Sequence, residues 1–399
     1  MKVTNMRVLS IDVFRALTML LMIFVNDFWT LKDIPQWLEH SQADVDFLGL
    51  SDVVFPCFLV IVGMSIPFAI QNRISKGDSN FQLIKHIVIR SIALLVMGVF
   101  TVNSPDLNPE ATGMRQEYYI ILMILGFFLI WNVYPKSTDW KKYLFIALQV
   151  IGVCLLVWLA IIFRGNADNQ IVGFRTQWWG ILGLIGWAYL GSAIIYVFIW
   201  RKPILIPVVW GLFTLLNIAD HAHWLEAAHL SDVFGWIPGT GAFHCFTFAG
   251  ITATLLLEKY YSSAENKKLL IIYPIIGAVL IVLGLIFRQF SIIISKIHAT
   301  PTWIFLCSGI AFLFYTIIYW LVDLKKKANW FDIIKPAGTS TLTCYLIPYW
   351  YYAIAALYGF VIPIAFKTGA LGLIKSMIYA FIIIGITALL GKLKIKLKI

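Results

Sequence analysis

The sequence predicts an all-α fold: a polytopic membrane helix bundle of about twelve transmembrane helices in a single domain covering residues 1–399. Three observations predict it. Hydrophobic residues make up 60% of the chain and charged residues 13%, with a mean hydropathy of +0.85. A soluble globule of this length could not hide so much apolar surface. Apolar runs recur at roughly the 20-residue length that hydrocarbon requires of a helix whose backbone groups must pair internally. Lys and Arg gather in alternate intervals between those runs, which is the pattern of a protein with one cytoplasmic face.

The expected spans fall at about 8–30, 50–71, 83–103, 117–134, 143–163, 176–199, 203–219, 240–257, 269–287, 302–322, 338–358 and 371–391. The seventh is short enough to read as a partial or re-entrant span. Sidedness follows from charge. Lys2, Arg7 and Arg15 open the first span; Arg73, Lys76 and Lys85 follow the second; Lys136, Lys141 and Lys142 follow the fourth. Arg201 and Lys202, then Lys259, Lys267 and Lys268, then Lys325, Lys326, Lys327 and Lys335 continue the series, and Lys392, Lys394, Lys396 and Lys398 end it. All lie on one side of a twelve-span chain, so both termini are expected in the cytoplasm. The formal charge of +11 is thereby a topology signal, and nucleic acid is not an expected partner. The lipid bilayer is.

Five cysteines stand singly at 57, 154, 245, 307 and 344, in or beside apolar spans and without a CxxC pair. They read as small residues of a membrane core, not as a disulfide framework or metal site. The basic N-terminus runs into Asp12 and Arg15 with no small-residue cleavage site, so it reads as a retained first helix.

The chain is organised around residues 11–70, where two apolar spans flank the polar segment LKDIPQWLEHSQADVDF. His40 and Asp52 sit in or beside that loop. The other loops of the same side hold Asp106, Glu110 and Arg115, then Arg164 and Asp168, then Asp220, His221, His223, Glu226, His229 and Asp232, and finally Arg288, Lys296 and His298. Polar outer loops need no function, since they meet water. HAH at 221–223 with His229 has no recognised zinc-site spacing, and no metal is expected. His86 reads as an interfacial or packing residue. Asp12, Arg15, Asn26, Asp52 and Asn103 are different, because polar groups at membrane depth cost free energy unless they pair or line a wet cavity. Asp12 and Arg15 share one helical face at i,i+3 and form either a helix-end ion pair or a contact to a charged ligand. Asn26 lies three turns deeper, which suggests a polar path toward His40.

SIDVFRALTMLLMIFVND followed by WLEHSQADVDFLGLSDVVFPCFLVIVGMSI resembles the opening of the heparan-alpha-glucosaminide N-acetyltransferase family and its bacterial relatives. Asp12, Phe14, Arg15, Asn26, His40 and the run from Asp52 to Pro56 match that family's pattern in order. RQEYYIILMILGFFLIW at 115–131, GTGAFHCFTFAGITATLLL at 239–257, HATPTW at 298–303 and AGTSTLTCYLIPYW at 337–350 are similar more thinly. Ala16 stands where the family has Gly. Spans six and seven have no counterpart in the family's ten-helix core, so residues 176–219 are expected as an inserted helical hairpin that sets acceptor choice together with His221, His223, His229 and His244.

The resemblance implies a bacterial inner-membrane acyltransferase that moves an acetyl group from cytoplasmic acetyl-CoA, its acyl-donor substrate, to an amino sugar or glycan outside. A homodimer is an expected assembly. His40 is expected as general base or transient acetyl carrier, since imidazole suits proton transfer near neutrality. Asp52 would fix its tautomer. Asn26 would hydrogen-bond the thioester or the developing oxyanion, and Asp12 and Arg15 would sit with Asn26 at the donor, Arg15 on the CoA phosphates. A transporter is the competing class, but residues 1–200 and 201–399 show no convincing repeat. A scaffold gives no reason for Asn26, His40 and Asp52 to occur together.

Overall fold

The computed structural model describes residues 8–167, 170–261 and 263–399. Lys2, Arg7 and Asp168, which entered the reading of the loops, lie outside the described residues. Among the described residues, twelve helices of 16 residues or more carry the architecture: α1 (Leu9–Asn26), α2 (Leu50–Ile74), α3 (Asn80–Asn103), α4 (Gln116–Trp131), α5 (Trp140–Ile162) and α6 (Ile181–Ile199), then α7 (Leu205–His221), α8 (Ala242–Tyr260), α9 (Leu269–Gln289), α10 (Pro301–Tyr319), α11 (Thr341–Leu357) and α12 (Gly369–Lys392). Each coincides with one expected span.

Their lengths are less uniform than the spans suggest. Among the described residues, nine helical segments are long and apolar enough to cross a membrane, while α4 and α7 are apolar but shorter. At 16 residues α4 reaches about 24 Å, short of a hydrocarbon core of roughly 30 Å. The α11 helix has 17 residues, contains Pro348 and is rich in tyrosine. One small departure from an all-α chain is an antiparallel pair, β1 (Gly165–Ala167) with β2 (Gln170–Val172), in register Gly165 to Val172.

Glycine lets the central helices approach closely. A Cβ on Gly63 of α2 would lie 1.9 Å from the Thr247 carbonyl oxygen of α8, and one on Gly250 of α8 would lie 1.9 Å from the Val60 carbonyl oxygen of α2. Membrane helices lack a hydrophobic drive toward each other, so such backbone contact supplies the packing. The Thr254 hydroxyl adds a 2.9 Å bond to the Met64 carbonyl. The expected hairpin comprises α6 and α7, and both pack on α8, with Ser192 Oγ of α6 2.6 Å from Thr247 Oγ1 of α8, while α6 also packs on α3. Gly98 of α3 meets the Gly183 backbone of α6, whereas Phe213 of α7 stacks on His244 and Phe248 of α8.

The bundle has two chemically distinct ends. The basic end carries Arg73, Lys76, Lys136, Arg201, Lys326 and Lys392; the opposite end carries His40, His221, His223, His229 and His298. Helices α1 and α2 run antiparallel between them, tied at one level by Arg15 Nη2 donating to Ser65 Oγ at 2.7 Å. From that level Asn26 lies about 17 Å further along α1 and Asp52 about 20 Å back along α2, so both reach the histidine end.

Candidate active site

At the histidine end the α1–α2 loop folds back onto the first turn of α2. Gly49 permits this, because a Cβ there would fall 1.8 Å from the Glu39 carbonyl oxygen. Ser51 Oγ donates to the Leu38 carbonyl at 2.6 Å. The returning chain is thus pinned two residues before His40. Asp52, in the first turn of α2, accepts from Ser41 N at 2.9 Å and Gly49 N at 3.4 Å through Oδ2, leaving Oδ1 2.7 Å from His40 Nδ1. A carboxylate oxygen can only accept there, so Nδ1 carries a proton, and in the neutral ring Nε2 presents its lone pair. The Asp52 side chain is 3% exposed and that of His40 is 50% exposed. A buried anchor therefore orients a water-facing imidazole.

Pro56 explains a second contact. Proline has no N–H, so the Asp52 carbonyl loses its usual helical partner four residues on. Trp303 Nε1 donates to that carbonyl at 3.1 Å, with Cys307 Sγ at 3.8 Å. The Asp-x-x-x-Pro spacing in α2 thereby prepares a site for the start of α10.

The segment between α9 and α10 clamps the His40 loop. Arg288 pairs with Asp46 at 2.7 Å, Ile294 N donates to Asp46 at 2.9 Å, and Ser295 Oγ donates to the Ala43 carbonyl at 2.7 Å. Burial raises the Asp46 carboxyl's proton affinity, but the Ile294 and Arg288 bonds outweigh it and hold its pKa below the ordinary value. The same segment places Lys296 Nζ 3.4 Å from His40 Nδ1 and 3.9 Å from Asp52 Oδ1. Burial holds the Lys296 ammonium below its ordinary pKa, with Asp52 pulling it partly back. Lys296 was legible only as a loop residue, because its neighbours at the site lie about 250 positions away in sequence.

The remaining histidines divide. His298 Nε2 meets Asp44 at 2.9 Å, within the clamp. His221 places Nδ1 3.0 Å from the Asn217 carbonyl and Nε2 3.1 Å from the His298 carbonyl. His223 pairs with Glu226 at 3.3 Å, His229 is exposed, and both take positive φ. His244 is buried inside α8 against Phe213. Asn103 holds the Arg175 backbone through its amide, donating to the carbonyl at 2.8 Å and accepting from the N–H at 3.2 Å, as a structural residue does.

Two cavities follow α1. The larger, about 430 Å³, lies toward the basic end and includes Arg15, Met19, Ser65, Arg90, Tyr189 and Lys398 in its walls. The second, about 280 Å³, includes Met19, Asn26, Trp29, Tyr345, Tyr349 and Tyr352. They share Met19, Ile181 and Tyr345, so they adjoin. Arg15 bonds Asp12 at 3.3 Å as well as Ser65. His40 and Asp52 line neither cavity. The structure thus brings His40 to Asp52 and Arg15 to Asp12, and sets Asn26 on the cavity that continues from Arg15.

Beside Asn26 sits an unanticipated group. Asp27 is buried and accepts from Tyr352, from Lys375 Nζ at 2.5 Å and from Ser376 Oγ at 2.5 Å, while Lys375 also donates to Thr30 at 2.7 Å. Fully paired, Asp27 locks α1 to α11 and α12.

With the loop, its carboxylate anchor and the cavities in place, relatives can be compared. A family model described as "Domain of unknown function (DUF5009)" matches residues 7–251, more than half of the chain. The chain belongs to that family. It is also similar to heparan-alpha-glucosaminide N-acetyltransferase of Mus musculus, at 32% identity over 171 residues, covering 39% of this chain and 24% of the mouse protein. The Homo sapiens protein of the same name is 34% identical over 101 residues, covering 24% of this chain and 14% of the human one. The matched stretches thus span a quarter or less of the curated relatives. The family match contains α1, α2, the His40 loop and about half of α8, whereas Lys296 and Trp303 lie beyond it.

Proposed function

We propose that this chain is a transmembrane acyltransferase that moves an acetyl group from cytoplasmic acetyl-CoA to an amino sugar or glycan on the outer side of a bacterial inner membrane. The observation that carries the reading is the 2.7 Å contact between His40 Nδ1 and Asp52, which leaves Nε2 as an oriented base in contact with water. In the reaction an acceptor amine or hydroxyl forms a bond to the acyl carbon and the C–S bond breaks. The acceptor's proton passes to His40 Nε2, and the leaving thiolate takes up a proton. Lys296, beside both His40 and Asp52, supplies positive charge where the acyl oxygen becomes negative. Arg15 binds phosphate at the basic end with Asp12 holding it in place, and Asn26, at the far end of the adjoining cavities, hydrogen-bonds the thioester. Twelve crossings, with both termini in the cytoplasm, put donor and acceptor on opposite faces. Residues 176–219 are an insertion relative to the related acetyltransferases.

Direct transfer with His40 as base is preferred over an acetyl-histidine. Incubating purified protein with radiolabelled acetyl-CoA before acceptor is added separates the two: stable label that vanishes in His40→Ala establishes the covalent route. A solute transporter is the second reading, favoured by the adjoining cavities along α1. Flux of an amino sugar into proteoliposomes without thioester cleavage would select it.

A further inference from the structure

We infer that residues 395–399 are a strap that completes a phosphate-binding site in the larger cavity, with Arg90 and Lys398 as anion-holding side chains. This rests on the donor assignment of that cavity and adds an element and two residues to it.

After α12 the chain reverses at Lys394, whose φ is +62°, and pairs with the segment that follows α4. Val133 N donates to the Lys396 carbonyl at 2.9 Å and Lys398 N to the Trp131 carbonyl at 3.0 Å. Lys396 N donates to Asn132 Oδ1 at 2.8 Å, and Leu397 N to Thr343 Oγ1 at 3.0 Å. Leu397 is buried. A segment with alternate backbone bonds and a buried apolar anchor is a built contact. Its last three residues, Leu397, Lys398 and Ile399, form part of the cavity wall.

The charged side chains of that wall are all basic. Arg15, Arg90 and Lys398 reach it from α1, α3 and the strap, and no Asp or Glu side chain lines it among the described residues. Asp12 offsets Arg15. Arg90 lies over the Tyr189 ring at 4.8 Å, and its Nε is buried with no hydrogen-bond partner among the described residues. A guanidinium stacked by its face keeps its N–H edge for a planar or tetrahedral anion. An orphaned buried donor in the same cavity wall as a second cation costs free energy that a phosphate oxygen would recover. The ligand class is therefore a phosphate ester or diphosphate, as on the nucleotide part of a CoA thioester. Free phosphate and anionic lipid headgroups share that chemistry.

The test uses the full chain in detergent and reads CoA binding by calorimetry, apart from turnover. Arg90→Gln, Lys398→Gln and deletion of 395–399 are each expected to weaken CoA roughly tenfold to a hundredfold, the loss of one charge-assisted hydrogen bond or more. Inorganic phosphate should compete at equal ionic strength where chloride does not. In wild-type protein, CoA should slow tryptic cleavage after Lys394 and Lys396, a readout that needs no variant to fold. CoA affinity within twofold of wild type in all three folded variants overturns the inference. So does protection of the strap by phosphatidylglycerol nanodiscs but not by CoA, which would assign the site to lipid. Strap-dependent CoA binding without acetyl transfer by the wild type would sink the enzymatic reading alone. Transfer that proceeds with CoA affinity unchanged in every variant would sink the strap alone.

Discussion

Replacing Asp52 by Asn tests the geometry of the dyad, because it preserves shape and removes only charge and one acceptor. The Asn carbonyl must face Ser41 N and Gly49 N, now at 2.9 and 3.4 Å from Oδ2, since an amide NH₂ there would oppose two donors. Its NH₂ then faces His40 Nδ1 across the present 2.7 Å contact, which forces Nδ1 to accept and moves the ring proton to Nε2. The base is thereby blocked on its reactive side. A loss of roughly 10²- to 10⁴-fold in kcat follows from removing general-base catalysis with the wrong tautomer. Two backbone bonds survive, so the stability loss should stay near the 1.5–3 kcal/mol range of one charge-assisted bond. Thiol release from acetyl-CoA in the presence of acceptor measures the first, and denaturant unfolding in detergent the second. Activity within twofold of wild type would refute the reasoning. So would a loss fully restored by cooling or ligand, which would mark a folding defect.

Three further outcomes follow from other contacts. Trp303→Phe should cost about 1–3 kcal/mol by orphaning the Asp52 carbonyl, and less in a Pro56→Ala background, where an N–H returns; additive unfolding energies in that double-mutant cycle would contradict the pairing. Lys296 has a depressed folded-state pKa, so the unfolded chain binds more protons between that pKa and about 10.4. Wild-type stability relative to Lys296→Met should therefore rise with pH across that window and fall as pH drops through it, and a flat difference in melting temperature would show that burial exerts no such pressure. Gly63→Ala, whose Cβ would sit 1.9 Å from the Thr247 carbonyl, should destabilise by about 1–3 kcal/mol or more through overpacking; unfolding unchanged from wild type would mean that α2 and α8 separate without cost.

What the sequence displays is what local pattern encodes. Among the described residues, the nine helical segments long and apolar enough to cross a membrane lie where apolar run length puts them, because hydrocarbon leaves a chain few alternatives. Asp12 with Arg15 follows from i,i+3 spacing, and His40 with Asp52 from one short motif. What it hides is tertiary. Lys296 and Trp303 reach Asp52 only because the α9–α10 segment clamps the α1–α2 loop through Asp46 and Ala43. Asn26 and Asp27 look alike in sequence as polar residues ending an apolar run, yet the fold exposes the first to a cavity and buries the second among Tyr352, Lys375 and Ser376. The short helices escape for a related reason. Composition marks α4 as apolar, while its end at Trp131 is fixed by the strap, which bonds the backbone there.

The most direct measurement is acetyl transfer by His40→Ala protein. Proteoliposomes given acetyl-CoA on the face of the basic loops and a panel of amino sugars and glycans on the other should release CoA only when a suitable acceptor is present. His40→Ala should abolish that release and leave CoA binding and unfolding near wild type, because in the proposed mechanism the imidazole moves the proton and other residues hold the phosphates. Full transfer by His40→Ala protein, or solute flux with no thioester cleavage by the wild type, would contradict the assignment.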